Sequence, residues 1–406
     1  MEKIFGRKEN LDKCGVIFKL IRLRSIHMKF AHISDLHLGK RIYQFSMIEE
    51  QKYILQQIVE IVTEEKVDGV LIAGDIYDKI YPSAEAVALF DTFLVNLVKE
   101  DIKVFVISGN HDSPERIAFL GQLTKKAGVY LAPVYQGEVE CIDLEDEFGK
   151  LHIYLLPFIK PVHVRHFFPE ENINNYTDAM NVVVQKLQLN LQERNVLMTH
   201  QFVTGAMRSE SEEISVGGLD NVEASAFRDF DYVALGHIHR PQNMGSEKIR
   251  YSGTPLKYSF SESQDKKSVT VVEIKEKEDV EIKEIPLKPA HDLVKIRGNF
   301  MEVMNPKNFQ GLDTESFLHI TLLDEQDIPE GFSRLSLVYP NLMQLEYDNT
   351  RTRGKRELQV RREVAKIHPE EIFAGLYETM NNQPLSEVQR EYLIEKIEKI
   401  WKGEAK

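Results

Sequence analysis

Short apolar runs rich in β-branched residues recur along this chain, and each stops abruptly at Asp, Asn or His. MKFAHIS runs into DLHLG, DGVLIAG into DIYD, VFVIS into GNHD, RNVLMT into His200 and FDYVAL into GHIH. Runs of this length, closed off by Gly and polar residues, predict buried strands. Between the early strands lie SMIEEQKYILQQIVEIVTEEK and SAEAVALFDTFLVNLVKE, whose apolar residues recur at helical spacing. Strands alternating with helices predict a layered α/β architecture, in which ligands gather at the carboxyl ends of the strands. All five polar clusters stand at such ends, so folding can bring them to one rim of the sheet.

The residue types at these stops are those of metal chemistry. Asp35, His37, Asp75, Asn110, His200, His237 and His239 offer imidazole and oxygen donors without a thiolate, a set that suits borderline to hard divalent ions. Seven ligands are too many for one closed site. They divide into two ions sharing one carboxylate, an arrangement that clamps the attacking and leaving oxygens of an in-line displacement at phosphorus across ~3.5 to 4 Å. Each piece alone has an ordinary explanation: D-x-H arises by chance, GDIYD makes a turn, and a lone His200 is commonly a satisfied core histidine. The order D-x-H, GD-x-x-D, GNHD, H, GHIH over ~205 residues, with every member at a strand end, makes coincidence a poor account. Asp78 either orients a ligand histidine from behind or caps the following turn, whereas a structural role is expected for Asp112. The remaining histidines, His32, His152 and His319 among them, are assigned to packing or surface roles.

Composition narrows the setting. With 406 residues, 42% hydrophobic and 28% charged, the chain can build more than one core. A net charge of -13 repels polyanions, so nucleic acid would have to be held by local devices. Two cysteines, Cys14 and Cys141, make no disulfide framework, and no apolar run reaches the ~18 residues of a membrane span. A reducing cytoplasm and no membrane are expected. Residues 1–27 carry seven Lys/Arg against three Asp/Glu, and Lys19 interrupts their apolar run. They are read as an extension without chemistry ahead of Met28.

The ordered motif set resembles the calcineurin-like metallophosphoesterase superfamily, whose members place it on a two-sheet α/β sandwich. Within it, SVGGLDNVEASAFRDFDYVALGHIHRPQ and YSGTPLKYSFSE are similar to the double-strand-break repair nucleases, from Met28 through the C-terminal part. The resemblance implies one ion on Asp35, His37, Asp75 and His239, and another on Asp75, Asn110, His200 and His237, with Asp75 as bridge and Mn²⁺ as the metal. It makes His111 the catalytic histidine. It further implies a DNA nuclease, acting with an SbcC-like coiled-coil ATPase as an ATP-dependent 3'-5' exonuclease on duplexes and an endonuclease on single strands and hairpins. DNA repair, replication and recombination would be its setting, with a homodimer of this chain inside a heterotetramer near the nucleoid. A phosphomonoesterase or cyclic-nucleotide phosphodiesterase shares such a centre, and a DNA-end-binding scaffold is the non-enzymatic alternative.

The expected division is 28–287 for the nuclease domain, 288–348 for a small α/β cap facing DNA, and 349–406 for a basic linker and partner-binding helices. LVKIRGNF, SFLHITLLDE and NLMQLEYD predict the strands of the cap, and RTRGKRELQVRREVAK holds seven basic and two acidic side chains. HPEEIFAGLYETM and SEVQREYLIEKIEKIW carry apolar stripes at helical spacing, the second opening on Ser386 and Gln389 in capping-box positions. Aromatic residues on these stripes, Phe373, Tyr392 and Trp401, are the expected anchors for a partner. No P-loop of the form G-x-x-x-x-G-K-[ST] occurs, so ATP hydrolysis would belong to another chain.

Overall fold

A computed structural model describes residues 27–117, 124–212, 220–353, 373–374, 377 and 385–401. Residues 1–26 of the expected N-terminal extension, most of the basic stretch RTRGKRELQVRREVAK and most of HPEEIFAGLYETM lie outside the described residues. Two six-stranded sheets form the main body. The first contains β1 (Met28–Ile33), β4 (Gly69–Ala73), β5 (Lys103–Ile107), β6 (Val129–Ala132), β15 (Ser268–Ile274) and β16 (Val280–Pro286), in the order β16-β15-β1-β4-β5-β6. The second contains β7 (Glu140–Asp146), β8 (Gly149–Leu156), β9 (Arg194–His200), β12 (Tyr232–Gly236), β13 (Gln242–Asn243) and β14 (Ile249–Tyr251), in the order β13-β14-β12-β9-β8-β7. Two short pairs complete this body, β2 (Arg41–Ile42) with β3 (Phe45–Ser46) and β10 (Phe202–Val203) with β11 (Asn221–Val222).

β1, β4, β5 and β6 run parallel, as do β8, β9, β12 and β14. Both faces of such strands are covered, which is why their sequences read as unbroken apolar runs rather than alternations. Phe30, Leu71 and Phe105 from the first sheet meet Ile153, Val196, Met198 and Tyr232 from the second in the layer between them. Helices α1 (Ile48–Glu64) and α2 (Ala84–Lys99) bury Ile54, Ile58, Phe90 and Leu97 on the outer face of the first sheet. The Ser83 side chain caps α2 by accepting from the Ala86 N–H. Helix Tyr176–Lys186 covers the second sheet with Met180 and Val183. His32 takes the packing role expected of it: buried in β1, it meets the Tyr232 hydroxyl at 2.8 Å and the Leu235 carbonyl at 3.1 Å, so it ties the two sheets together.

A third sheet of β17 (Leu293–Gly298), β18 (Phe317–Leu322) and β19 (Leu342–Tyr347), all parallel, has its own core of Ile296, Phe300, Leu318, Ile320, Leu335 and Tyr339. It meets the main body through aromatic pairs, Phe45 with Phe317 and Phe260 with His319. The helix Glu387–Trp401 opens on a complete capping box, with Ser386 Oγ accepting from the Gln389 N–H and Gln389 Oε1 from the Ser386 N–H. Among the described residues no helix is long and apolar enough to cross a membrane.

Candidate metal centre

The parallel strands of both sheets end on one rim, and the loops that leave them are laced together. The N–H groups of Asp35 and His37 donate to the carbonyls of Gly74 and Asp75, each at 3.0 Å, so the loops after β1 and β4 run side by side. The His237 N–H donates to the Asp35 carboxylate at 3.1 and 3.2 Å, which joins the second sheet to the first. Asp35, His37, Asp75 and His237 take φ of 53°, 44°, 50° and 101°, left-handed backbone that L-residues rarely adopt and that clusters at functional sites. Two glycines allow the close approach. A Cβ on Gly109 would lie 2.1 Å from Asp75 Oδ1, and one on Gly236 would lie 1.8 Å from the Ala73 carbonyl oxygen. These contacts account for the Gly in GNHD and in GHIH.

All seven expected ligands meet here. Donor atoms of Asp35, His37 and His239 lie within 4.8 Å of one another, and so do those of Asp35, Asp75 and His200. Asp35 belongs to both groups, and Asp75 Oδ2 lies 3.7 Å from His37 Nε2 in the first and 3.3 Å from His200 Nε2 in the second. His37 Nε2 faces His239 Nε2 at 3.1 Å. Asn110 Oδ1 lies 3.1 Å from His200 Nε2 and 2.9 Å from His237 Nδ1. Asp35, His37, Asp75, His200 and His239 are buried, Asn110 and His237 partly so.

The electrostatics fit a cationic occupant. Burial pushes the Asp35 carboxyl up to about 8, with the Asp75 charge adding to the rise and His200 opposing it. Burial likewise holds the His37 and His239 imidazoles below their usual range and His237 at about 3, which leaves them neutral, the form that ligates metal. At His200 burial is the largest single effect and acts downward, but the charge and hydrogen bond of Asp75, with Asp35 and the Ala73 carbonyl, together lift the imidazole to about 9. Positive charge beside Asp75 is thus favoured at this end of the cluster. The Nδ1 atom of His200 is 2.8 Å from the Ala73 carbonyl, which leaves Nε2 directed at Asp75. Nitrogen and oxygen donors without sulfur suit two divalent ions at this place.

The other expected residues occupy the margin. The His111 N–H donates to Asp75 Oδ1 at 2.9 Å, and its ring stands 5.1 Å from that of His37, with Nε2 4.0 Å from Asp75 Oδ2 and the side chain 20% exposed. Asp78 pairs with Lys40 at 2.8 Å and lies 3.8 Å from His37 Nδ1, beyond hydrogen-bonding reach. Asp112 accepts from the N–H groups of Ile76, Tyr77 and Gly109 at 3.1, 3.0 and 2.9 Å, and so staples the loops after β4 and β5 together. Ser211, Glu212 and Glu262 stand behind His239, although nothing in their spacing marks them in the sequence. Glu212 Oε1 accepts from the His239 N–H at 2.7 Å, and Ser211 Oγ lies 2.5 Å from His239 Nδ1.

A sandwich with this dinuclear-type rim defines a calcineurin-like phosphoesterase, and the family model of that description matches residues 28–241. A second, described as the Type 5 capsule protein repressor C-terminal domain, matches residues 289–381. The SbcD component of the SbcCD nuclease of Staphylococcus epidermidis is 30% identical over 369 residues, 89% of this chain and 96% of that protein. Its counterpart in Staphylococcus saprophyticus is 31% identical over 380 residues, 92% of this chain and 97% of that protein. The chain belongs to this SbcD family of metal-dependent nucleases. A dimetal phosphatase from Danio rerio aligns with 63% of this chain and 95% of its own at 14% identity and a TM-score of 0.40.

Proposed function

We propose that this chain hydrolyses DNA phosphodiesters with two Mn²⁺ ions, as the nuclease component of a complex with an SbcC-like ATPase. The observation that carries the dinuclear reading is Asp75 Oδ2, set between His37 Nε2 and His200 Nε2 at 3.7 and 3.3 Å. Asp35, His37, Asp75 and His239 would hold one ion, and Asp75, Asn110, His200 and His237 the other. When bound, such a pair supplies charge neutralisation at the phosphodiester and makes water acidic enough to attack near neutral pH.

The chain's own residues do the rest. The His111 backbone N–H fixes Asp75 through Oδ1, so Oδ2 stays directed into the centre. The His111 ring, partly open at the margin, is placed to give a proton to the departing sugar oxygen, general-acid assistance worth ~10² to 10⁴-fold. Asp78 holds Lys40 beside His37 and acts on the centre only through these neighbours. DNA as substrate places the protein in the cytoplasm, at the nucleoid.

The division at about residues 287 and 348 separates a nuclease body from a cap with its own core, which faces DNA. Residues 349–406 dock the ATPase. The exposed aromatics there, Phe373 at 46% and Tyr392 at 61%, support that role, since buried aromatics dominate many interfaces. Two nuclease chains and two ATPase chains make the working assembly, which degrades duplex ends in the 3'-5' direction with ATP and cuts hairpins and single strands. The test is to titrate Mn²⁺, Mg²⁺ and Zn²⁺ into metal-free protein on hairpin DNA, linear duplex and an aryl phosphate, with and without the ATPase. Cleavage of DNA with Mn²⁺ is expected, while turnover of the aryl phosphate alone would make it a phosphomonoesterase.

A further inference from the structure

His239 is gripped at three points by side chains that lie outside the five ligand loops. Its N–H donates to Glu212 Oε1 at 2.7 Å, and its carbonyl accepts from Lys267 Nζ at 2.8 Å. The third grip is on the ring. Ser211 Oγ lies 2.5 Å from His239 Nδ1 and donates its proton to Glu262 Oε1. A serine has one O–H to give, and the Glu262 carboxylate only accepts, so the Nδ1 contact must run from His239 to Ser211. His239 is therefore protonated on Nδ1, and its Nε2 lone pair points at His37 and the ligand cluster.

Glu262 is itself held. Buried with Lys267, it forms an ion pair at 2.6 Å, and the third Lys267 proton goes to Thr254 Oγ1 at 2.8 Å, so the ammonium is fully satisfied. Burying a Glu and a Lys is costly unless both are paired and hydrogen-bonded, and a core of this size could be built from apolar residues instead. What the pair achieves here is a fixed acceptor for Ser211. The same Lys267 holds the His239 carbonyl, so ring and backbone of one ligand are secured by one ion pair.

From this geometry we infer that Ser211, Glu262 and Lys267 are positioning residues for His239, setting its tautomer and ring orientation for the ion it shares with Asp35 and His37. This role rests on the two-ion reading above. Its counterpart elsewhere in the centre is the Ala73 carbonyl behind His200. Loss of such an outer partner lowers metal affinity by ~10 to 100-fold.

The test is a Mn²⁺ titration of metal-free, full-length protein by calorimetry, with electron paramagnetic resonance to detect spin-coupled ion pairs. The unsubstituted chain should bind two ions. In Ser211→Ala and Glu262→Gln one site should weaken by ~10 to 100-fold and the coupled signal should fade, while the other site keeps its affinity. Ser211→Thr, which retains the hydroxyl, should restore both. Two ions bound with unchanged affinity in Ser211→Ala and Glu262→Gln would overturn the positioning role alone. So would equal weakening of both sites together with a lowered melting temperature, the mark of a merely structural contact. A single ion in the unsubstituted protein would instead overturn the two-ion reading of the centre.

Discussion

The two halves of the metal centre are secured by different means. Around Asp75, Asn110 and His200 the backbone does the holding: the Ala73 carbonyl orients His200, the His111 N–H fixes Asp75, and Gly109 and Gly236 let neighbouring strands come within contact. Around His239 one backbone bond, from the Thr254 N–H to the His239 carbonyl at 3.1 Å, is joined by side chains, Ser211, Glu212, Glu262 and Lys267, and only side chains hold the ring. Backbone support is set once the strands pair and tolerates no added atom. Side-chain support can be dismantled one hydroxyl at a time, with the fold left standing.

Gly236→Ala should therefore have the largest effect. Its new Cβ would stand 1.8 Å from the Ala73 carbonyl oxygen and 2.6 Å from His200 Nδ1, and a backbone carbonyl between two sheets cannot swing away. Destabilisation of about 3 kcal/mol or more is expected, with both ions lost, as read by thermal melting and elemental analysis. A Gly236→Ala protein with wild-type melting and two ions would show that backbone packing is not what secures this half.

A smaller effect is expected for His111→Ala, which sharpens the same point. Its backbone N–H, the group that fixes Asp75, survives the substitution, while the ring at the margin is removed. Both ions and DNA affinity should be retained, and turnover should fall by ~10² to 10⁴-fold in single-turnover assays. Loss of an ion would move the His111 ring from proton transfer to ligation.

The difference between the halves also explains what could be read in advance. Asp35, Asp75, Asn110, His200 and His237 sit at the ends of buried strands or within three residues beyond them, so apolar runs ending in polar residues locate them without any knowledge of pairing. The glycines of GNHD and GHIH belong to the same short windows. Ser211 and Glu262 have no such local mark, because a serine and a glutamate in polar stretches usually face water. Their meaning arises only when the segment after β10 and the segment before β15 are brought to His239, just beyond the end of β12. The three parallel strands of the cap were visible as runs, but their order across the sheet was not, since pairing depends on crossovers that no local pattern encodes.

The His37 backbone is held, its N–H by the Asp75 carbonyl at 3.0 Å and its carbonyl by Gln51 Nε2 at 2.8 Å, but its ring lacks an outer partner among the described residues, and this makes Asp78 the finest test of the comparison. The His37 Nε2 faces His239 and Asp75, but its buried Nδ1 has no hydrogen-bond partner among the described residues, and Asp78, the carboxylate beside it, stands 3.8 Å away and is committed to Lys40 at 2.8 Å. If Asp78 oriented His37 as Ser211 orients His239, Asp78→Asn would weaken an ion by the ~10-fold or more typical of a lost outer partner. The distance argues for less. An Asn at this place keeps the shape of the side chain and an oxygen for Lys40 to bond, and loses the charge that Lys40 answers. Mn²⁺ affinity of Asp78→Asn should stay within about threefold of the unsubstituted protein, under the floor set for an orienting partner. An effect matching that of Ser211→Ala would place His37 with His239 in the half secured by side chains, and would make Asp78 its positioning residue.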